Sequence, residues 1–333
     1  MTKGPVTLHL DITNGCNTNC VTCWDHSPLL ATPREPAWKG LRADTDALLA
    51  TVSNAASLGR LSNVIVSGMG DPLTHPRVFE LLSGLKAMKL NVTLITNLLA
   101  PGAGQLAATT VDTLLIGIHA ADADGYQAFH PASPAGSWDR LMERLAARRS
   151  AGCRDRHVQV ICSLNANNLV SMIELAAEYH AGRVNFKLAS LGRGTEAVRV
   201  TDTQRKQLLS TDIFSAIDRA STLGVAHNLE TFRTQVEAGG AATAPISDVG
   251  CHMGDLYARI AVDGTVYYCC NTETAIGRIG SGVHFSDLWL SSAWNAMRAR
   301  LARGEFFPGC VRCGKFEQNA KIAAKRRASG CDA

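Results

Sequence analysis

No stretch of this 333-residue chain is apolar enough to cross a bilayer, and the opening MTKGPVTLHLDI has no long signal-peptide-like core. A membrane protein and an exported one are therefore not expected, and a cytoplasmic location is. Strong charge of either sign is missing too. Lys and Arg number 33 against 29 Asp and Glu, and a net +4 gives no case for nucleic-acid binding. The only basic run, Lys321 to Arg327, reads as a solvated helix face or a tail. Repeats of solenoid type and low-complexity tracts are also absent. The length that remains is ample for one large α/β domain with an appendage.

What the chain does have is cysteine. There are eleven, an odd and clustered set with no secretory signal, which favours metal ligation over disulfides.

Hydrophobic patterning alternates between two periods. VTLHLDI, NVIVSG (Asn63 to Gly68), NVTLIT (Asn91 to Thr96), TLLIGI (Thr113 to Ile118), VQVICSL (Val158 to Leu164) and VNFKLA (Val184 to Ala189) read as strands. Helical patterns are predicted at Thr45 to Gly59 with Leu48, Leu49, Val52 and Ala56 on one face, and after Pro76 with Val78, Phe79, Leu82 and Leu85 inward. Others lie near Trp138 to Ser150, Asn168 to His180 and Thr203 to Thr222. Such alternation predicts a parallel sheet with crossover helices, and six units favour a partial barrel over eight. The Gly- and Ala-rich stretch Ala238 to Pro245 breaks the pattern. Beyond it ARIAVDGTVYYC reads as a hairpin turning at Asp263-Gly264, followed by a helix near Asp287 to Arg303. The expected division is residues 1–237, a linker at 238–250, and a cysteine-rich unit at 251–333.

Cys16, Cys20 and Cys23 stand as C-x3-C-x2-C straight after the first strand. A short loop so spaced wraps three thiolates around a cubane cluster and leaves the fourth iron without a protein ligand. An open metal position of that kind is what binds and activates a substrate. Zinc and buried free thiols are the blander alternatives.

This arrangement resembles the radical S-adenosylmethionine (SAM) superfamily. The resemblance implies that SAM chelates the open iron and is cleaved to a 5′-deoxyadenosyl radical, with a flavodoxin- or ferredoxin-like protein as electron donor. Further segments match in order. Gly68, Met69, Gly70 and Asp71 in SGMGDP resemble the superfamily's Gly-Gly-Glu-Pro-like SAM-binding segment, with Asp in place of Glu. Asn97 ends the third strand, His119 the fourth, and Ser163 and Asn165 the fifth. The resemblance makes these SAM contacts, on the side where α/β sites form. Trp24 is a further candidate to cover the cluster or adenine.

A second group, Cys251, Cys269, Cys310 and Cys313, supplies four thiolates, enough to close a cubane. From CHMGDLYARIAVDGTVYYCC to DLWLSSAWNAMRARL the chain resembles the auxiliary-cluster domains called SPASM and Twitch. Only Cys331 follows, so the one-cluster Twitch form is the closer pattern. The expected cofactors are thus SAM and two [4Fe-4S] clusters, and the expected fold is a partial (β/α)6 TIM-like barrel with a small C-terminal Twitch/SPASM-like domain. Cys270 is left over. Strand alternation would turn it away from Cys269 unless the chain bends, and it is either a buried filler or a hydrogen-atom donor. Cys153 and Cys162 read as core.

The cysteine layout is similar to that of aminoglycoside-tailoring members, an epimerase of neomycin C and a dehydrogenase of scyllo-inosamine. That similarity implies a small aminosugar or aminoglycoside substrate, epimerised with Cys270 as donor, or oxidised with the auxiliary cluster as electron acceptor. Modification of a ribosomal peptide is a third reading, and a non-enzymatic iron–sulfur carrier or sensor a fourth. Asp25, Asp71 and Asp122 are the carboxylates expected to meet a polycationic sugar.

Overall fold

The computed structural model describes residues 4–107, 110–240, 246–270 and 272–328. Six parallel strands run in sequential order: β1 (Thr7–Asp11), β2 (Asn63–Ser67), β3 (Asn91–Thr96), β4 (Thr113–Gly117), β5 (Arg156–Ile161) and β6 (Arg183–Leu188). Crossover helices join them, so the architecture is the expected partial (β/α)6 barrel.

The sheet does not end at β1. After the segment around 241–245, which lies outside the described residues along with Cys331, β7 (Tyr257–Ile260) pairs with β1 in parallel. β8 (Thr265–Tyr267) and β9 (Ala275–Arg278) follow antiparallel, giving one nine-stranded sheet in the order β6-β5-β4-β3-β2-β1-β7-β8-β9. The turn between β7 and β8 uses Asp263 and Gly264, as expected, with Gly264 at φ +84° where a side chain would be strained.

Side chains alternate across this sheet. Leu8, Leu10, Val64, Val66, Val92, Leu94, Leu114 and Ile116 are buried beneath the helices. The same core continues through Tyr257, Tyr268, Phe285, Trp289 and Trp294, so the cysteine-rich unit packs as one body with β1–β4. The opposite strand positions, among them His9, Asp11, Ile65, Ser67, Leu115, Val158, Lys187 and Arg259, face a shared lumen.

Several boundaries differ from the sequence expectation. The helix after Pro76 starts at Val78 and buries Leu81 where Phe79 was expected, and the helix at Thr45–Ala56 buries Ala55 rather than Ala56. β5 stops at Ile161, which leaves Ser163 and Asn165 in the turn beyond it. The predicted helix from Asp287 to Arg303 is two, Phe285–Trp289 and Ser292–Ala302. Ser291 causes the break, because its hydroxyl accepts from the Trp294 N–H at 3.1 Å and caps the second helix. The basic run belongs to the helix Phe316–Ala328.

β6 is an edge strand beside the lumen, and side chains cover its backbone. The Asn228 amide accepts from Phe186 N–H at 2.7 Å and donates to Phe186 C=O at 2.9 Å, standing in for a neighbouring peptide. Asn228→Ala leaves both groups unpaired. It is expected to cost about 1–3 kcal/mol, visible as a lower denaturant midpoint with an unchanged slope.

Candidate active site and auxiliary centre

β1 delivers the chain directly into the first cysteine loop, and the β2–β3 side of the sheet holds that loop in place. Gly70 N–H donates to Thr13 C=O at 3.2 Å, and Asp71 N–H to Gly15 C=O at 2.9 Å. This contact needs glycine. A Cβ on Gly70 would stand 1.9 Å from the Gly15 oxygen, and one on Gly68 would stand 2.2 Å from the Thr13 oxygen. The Asn97 amide donates to Asn17 Oδ1 at 3.0 Å and Thr18 Oγ1 at 3.2 Å, tying β3 to the same loop.

Around the sulfurs the donors are appropriate for thiolates. The Thr18 hydroxyl lies 3.5 Å from Cys16 Sγ and 3.9 Å from Cys20 Sγ, while the Asp25 and His26 N–H groups donate to Cys23 Sγ at 3.5 and 3.3 Å. Burial raises the pKa of all three thiols, so the free site holds neutral S–H groups and iron is what would deprotonate them. Among the described residues no three His, Cys, Asp or Glu side chains converge on one ion position. Three thiols on one short loop, each with an O–H or N–H group at its sulfur, are the donor set that three irons of a cubane take, and they fit that group.

The remaining candidates hold structural bonds. Asp71, 4 % exposed, accepts from Leu73 N–H, Thr96 Oγ1 and Asn97 N–H, so its carboxylate faces the protein interior; burial raises its pKa against those three donors. Asn165 donates to the carbonyls of His119 and Val160 and accepts from Cys162 N–H, which uses both of its N–H donors. His119 has φ +63°, and its Nδ1 accepts from Val160 N–H at 3.0 Å. Burial lowers that imidazole to about 3, which keeps it neutral. Ser163 is half-buried; its N–H donates to Val198 C=O and its carbonyl accepts from Gln204. Met69 accepts from Arg259 at its sulfur. The Trp24 ring is exposed, and its N–H donates to the Ser190 carbonyl beyond β6.

The second cysteine group gathers on the other side of the lumen. Asn319, fully buried, accepts from His252 N–H at 2.8 Å, and its Nδ2 lies 3.9 Å from Cys313 Sγ, so one amide links the segment at Cys251 to that at Cys313. Burial raises the thiol pKa of Cys251, Cys310 and Cys313, with Cys270 close enough to add to each. The chain bends after Tyr267, and the Cys270 thiol hydrogen-bonds Cys269, contrary to strict strand alternation. That bond, which the nearby Lys315, Arg259 and Lys187 reinforce against burial, lowers Cys270 to about 6. Cys162 is fully buried, as expected of core, and Cys153 is half-buried.

Sequence reasoning missed the group that joins the two centres. Arg259 on β7 donates from Nε and Nη2 to Asp11 Oδ2 at 2.6 Å, from Nη2 to Met69 Sδ at 3.0 Å, and from Nη1 to the Cys270 carbonyl at 3.3 Å. Asp11 also accepts from Ser67, whose hydroxyl meets His9 Nε2, and His9 Nδ1 shares a 2.7 Å bond with the Tyr257 hydroxyl. Burial, then Arg259 and Lys315, lowers His9 to about 3. Lys315 places its ammonium 4.3 Å from the Tyr257 ring centre. The signal available was charge within strands: LHLD and ARIA each put an ionic residue in an apolar run.

With this geometry in view, comparison with known proteins is direct. Residues 10–179 match the model of the radical SAM superfamily, and residues 251–314 match that of the iron–sulfur cluster-binding SPASM domain. The chain belongs to the radical SAM superfamily and carries a SPASM domain. Its cofactors are SAM and two [4Fe-4S] clusters. It is 30% identical over 213 residues to the AdoMet-dependent heme synthase of Methanosarcina barkeri, a match spanning 63% of this chain and 58% of that relative. It is 25% identical over 326 residues to the mycofactocin maturase MftC of Mycolicibacterium smegmatis, covering 94% and 76% of the two chains. Streptococcus suis SuiB bound to S-adenosylmethionine has the same fold, with a TM-score of 0.64 at 14% identity over 89% of this chain and 68% of that one. No described helix is long and apolar enough to cross a membrane.

Gly70→Ala must push the loop away from Gly15. It is expected to weaken SAM binding by about tenfold or more, measured by equilibrium dialysis on reconstituted protein, with the auxiliary iron content unchanged. Wild-type affinity in this variant would detach the glycine loop from SAM recognition.

Proposed function

We propose that this radical SAM enzyme removes hydrogen from a carbon of a small molecule held in the lumen, and that Cys270 returns a hydrogen atom to that carbon, inverting it. Cys16, Cys20 and Cys23 would hold the SAM-cleaving cluster, with SAM against Gly68–Asp71, Asn97, His119, Ser163 and Asn165. Cys251, Cys269, Cys310 and Cys313 would hold the auxiliary one. When bound, the first cluster with SAM supplies a hydrogen-abstracting radical, and the auxiliary cluster supplies an electron store.

The observation that carries this reading is the bend at Cys269-Cys270. It sets a thiol that is not needed as a ligand within the electrostatic reach of Arg259, Lys187 and Lys315, all at the lumen. The S–H bond is weaker than most C–H bonds, so transfer to a carbon radical runs downhill. Atoms and electrons balance as follows. The substrate C–H bond breaks towards 5′-deoxyadenosine, a new C–H bond forms at the expense of the Cys270 S–H, and one electron with one proton restores the thiol. A flavodoxin- or ferredoxin-like donor would supply the electrons. Oxidation of the substrate is the second reading, favoured by the Arg259 bridge between Met69 and the auxiliary loop.

An aminosugar is the substrate class this reading started from, and the three carboxylates expected to meet it have the following partners. Asp71 is bonded inward, Asp25 pairs with Arg34 at 2.7 Å and Arg193 at 3.3 Å, and Asp122 caps a helix through Gly125 N–H. Asp25 and Asp71 are buried on partners of their own, while Asp122 is exposed with one oxygen on the helix N-terminus.

An anaerobic incubation of reconstituted enzyme with SAM, reductant and candidate substrates in deuterium oxide separates the outcomes. Inversion through Cys270 predicts a product one mass unit heavier, abolished in Cys270→Ala while 5′-deoxyadenosine still forms. A product two units lighter without solvent label would overturn inversion in favour of oxidation.

A further inference from the structure

The glycine loop carries a side chain that its pattern does not call for. Met69 stands where the Gly-Gly-Glu-Pro-like segment has its first glycine, between Gly68 and Gly70. Both glycines press backbone to backbone on the first cysteine loop, where a Cβ would stand 2.2 Å from the Thr13 oxygen and 1.9 Å from the Gly15 oxygen. Peptides packed this closely have little slack, so a displacement of the Met69 side chain passes into the backbone of the loop. That side chain is held from across the lumen, because Arg259 on β7 donates from Nη2 to Met69 Sδ at 3.0 Å.

The same guanidinium donates from Nη1 to the Cys270 carbonyl at 3.3 Å, and Asp11 Oδ2 accepts from its Nε and Nη2 at 2.6 Å. A guanidinium is planar, so its nitrogens move as one body. With Asp11 as the pivot, a shift of the Cys270 carbonyl turns the fork and disturbs its bond to Met69. That carbonyl belongs to the auxiliary centre. Cys269 N–H donates to Thr274 Oγ1 at 3.3 Å, and a Cβ on Gly314 would stand 3.5 Å from Cys270 Sγ, so the bend lies against the residue that follows Cys313. A short chain of contacts thus runs from the auxiliary cysteines through Arg259 to the glycine loop.

We propose that Met69 and Arg259 are positioning residues that make SAM affinity depend on the auxiliary centre. With Cys269 ligated, the Cys270 carbonyl keeps Arg259 on Met69 and the glycine loop in its SAM-binding shape. This rests on the reading of Gly68–Asp71 as the SAM loop and of Cys251, Cys269, Cys310 and Cys313 as the auxiliary ligands, and it holds whether the substrate is inverted or oxidised. A thioether is a weak acceptor, so the coupling is about fivefold, at the low end of what linked sites show. The consequence is a check on assembly: a chain that lacks its auxiliary cluster binds SAM less well and cleaves less of it to no purpose.

The test is equilibrium dialysis of SAM against reconstituted protein without reductant, so that binding is read without turnover. Four proteins are compared: wild type, Met69→Leu, Cys310→Ala/Cys313→Ala, and the combination of all three changes. Leucine keeps the volume of Met69 and removes the acceptor, while Arg259 keeps Asp11. Loss of the auxiliary cluster is expected to weaken SAM about fivefold when Met69 is present, and by less than about twofold in Met69→Leu. A mere packing role for Met69 predicts equal losses in the two backgrounds, and equal losses would overturn the proposal. Iron analysis separates this failure from that of the ligand reading. A cysteine variant that retains both clusters overturns the ligand set and the coupling with it, whereas loss of one cluster at unchanged SAM affinity sinks the coupling alone. Met69→Leu with both clusters in place should itself bind SAM about fivefold more weakly than wild type, a measurement that does not need the cysteine variant to fold. Wild-type affinity there would overturn the proposal, and a simultaneous defect in Gly70→Ala would leave the SAM-loop reading standing.

Discussion

The Arg259–Asp11 pair is the contact on which the interior of this protein turns. Both groups are nearly buried, and the guanidinium is planar, with donors fixed in a fork. It uses that fork to hold three segments of different origin: strand β1, the glycine loop at Met69, and the bend at Cys270. A lysine has no such fork. Its single ammonium would keep the charge and lose at least one of the three directions. Breaking a buried pair also strands the surviving charge, so the cost of losing either partner falls on both centres at once.

The strand carrying Asp11 is central in another sense. β1 pairs with β2 on one side and β7 on the other, and it feeds the first cysteine loop at its C-terminal end. Residues His9 and Arg259 lie in register across the β1–β7 pair. The sheet therefore brings a histidine, a tyrosine, an aspartate and an arginine into one hydrogen-bonded row without any loop to position them. A lumen assembled from strand interiors is more rigid than one built from loops.

Much of this was legible in the sequence, for identifiable reasons. Strands such as Asn91–Thr96 declare themselves by a short apolar run and are found at those bounds. The cysteine spacings are local, and so are the hairpin signal at Asp263-Gly264 and the glycine-rich loop. What stayed hidden depends on distant pairing. Nothing in the sequence of β7 says that it will lie beside β1, and without that register Arg259 is only a charge in a strand. The partners of Asp25, Asp71 and Asp122 were hidden in the same way. A carboxylate near a site reads as free until its partners, Arg34 and Arg193, Thr96 and Asn97, or a helix N-terminus, come into view. Asn165, a polar strand-end residue in the sequence, also bonds the backbone around His119, which no local pattern announces.

The parallel pairing of β7 with β1 also bears on how the chain can be cut. Removing the cysteine-rich part would not release a tidy barrel. It would strip β1 of one row of backbone partners and uncover the apolar surface that Tyr257, Tyr268 and Trp294 now occupy. An open strand edge beside bare hydrocarbon is a template for self-association. The truncated protein would be an aggregation hazard, so the two parts of this chain are one folding unit in practice, whatever their separate ancestry.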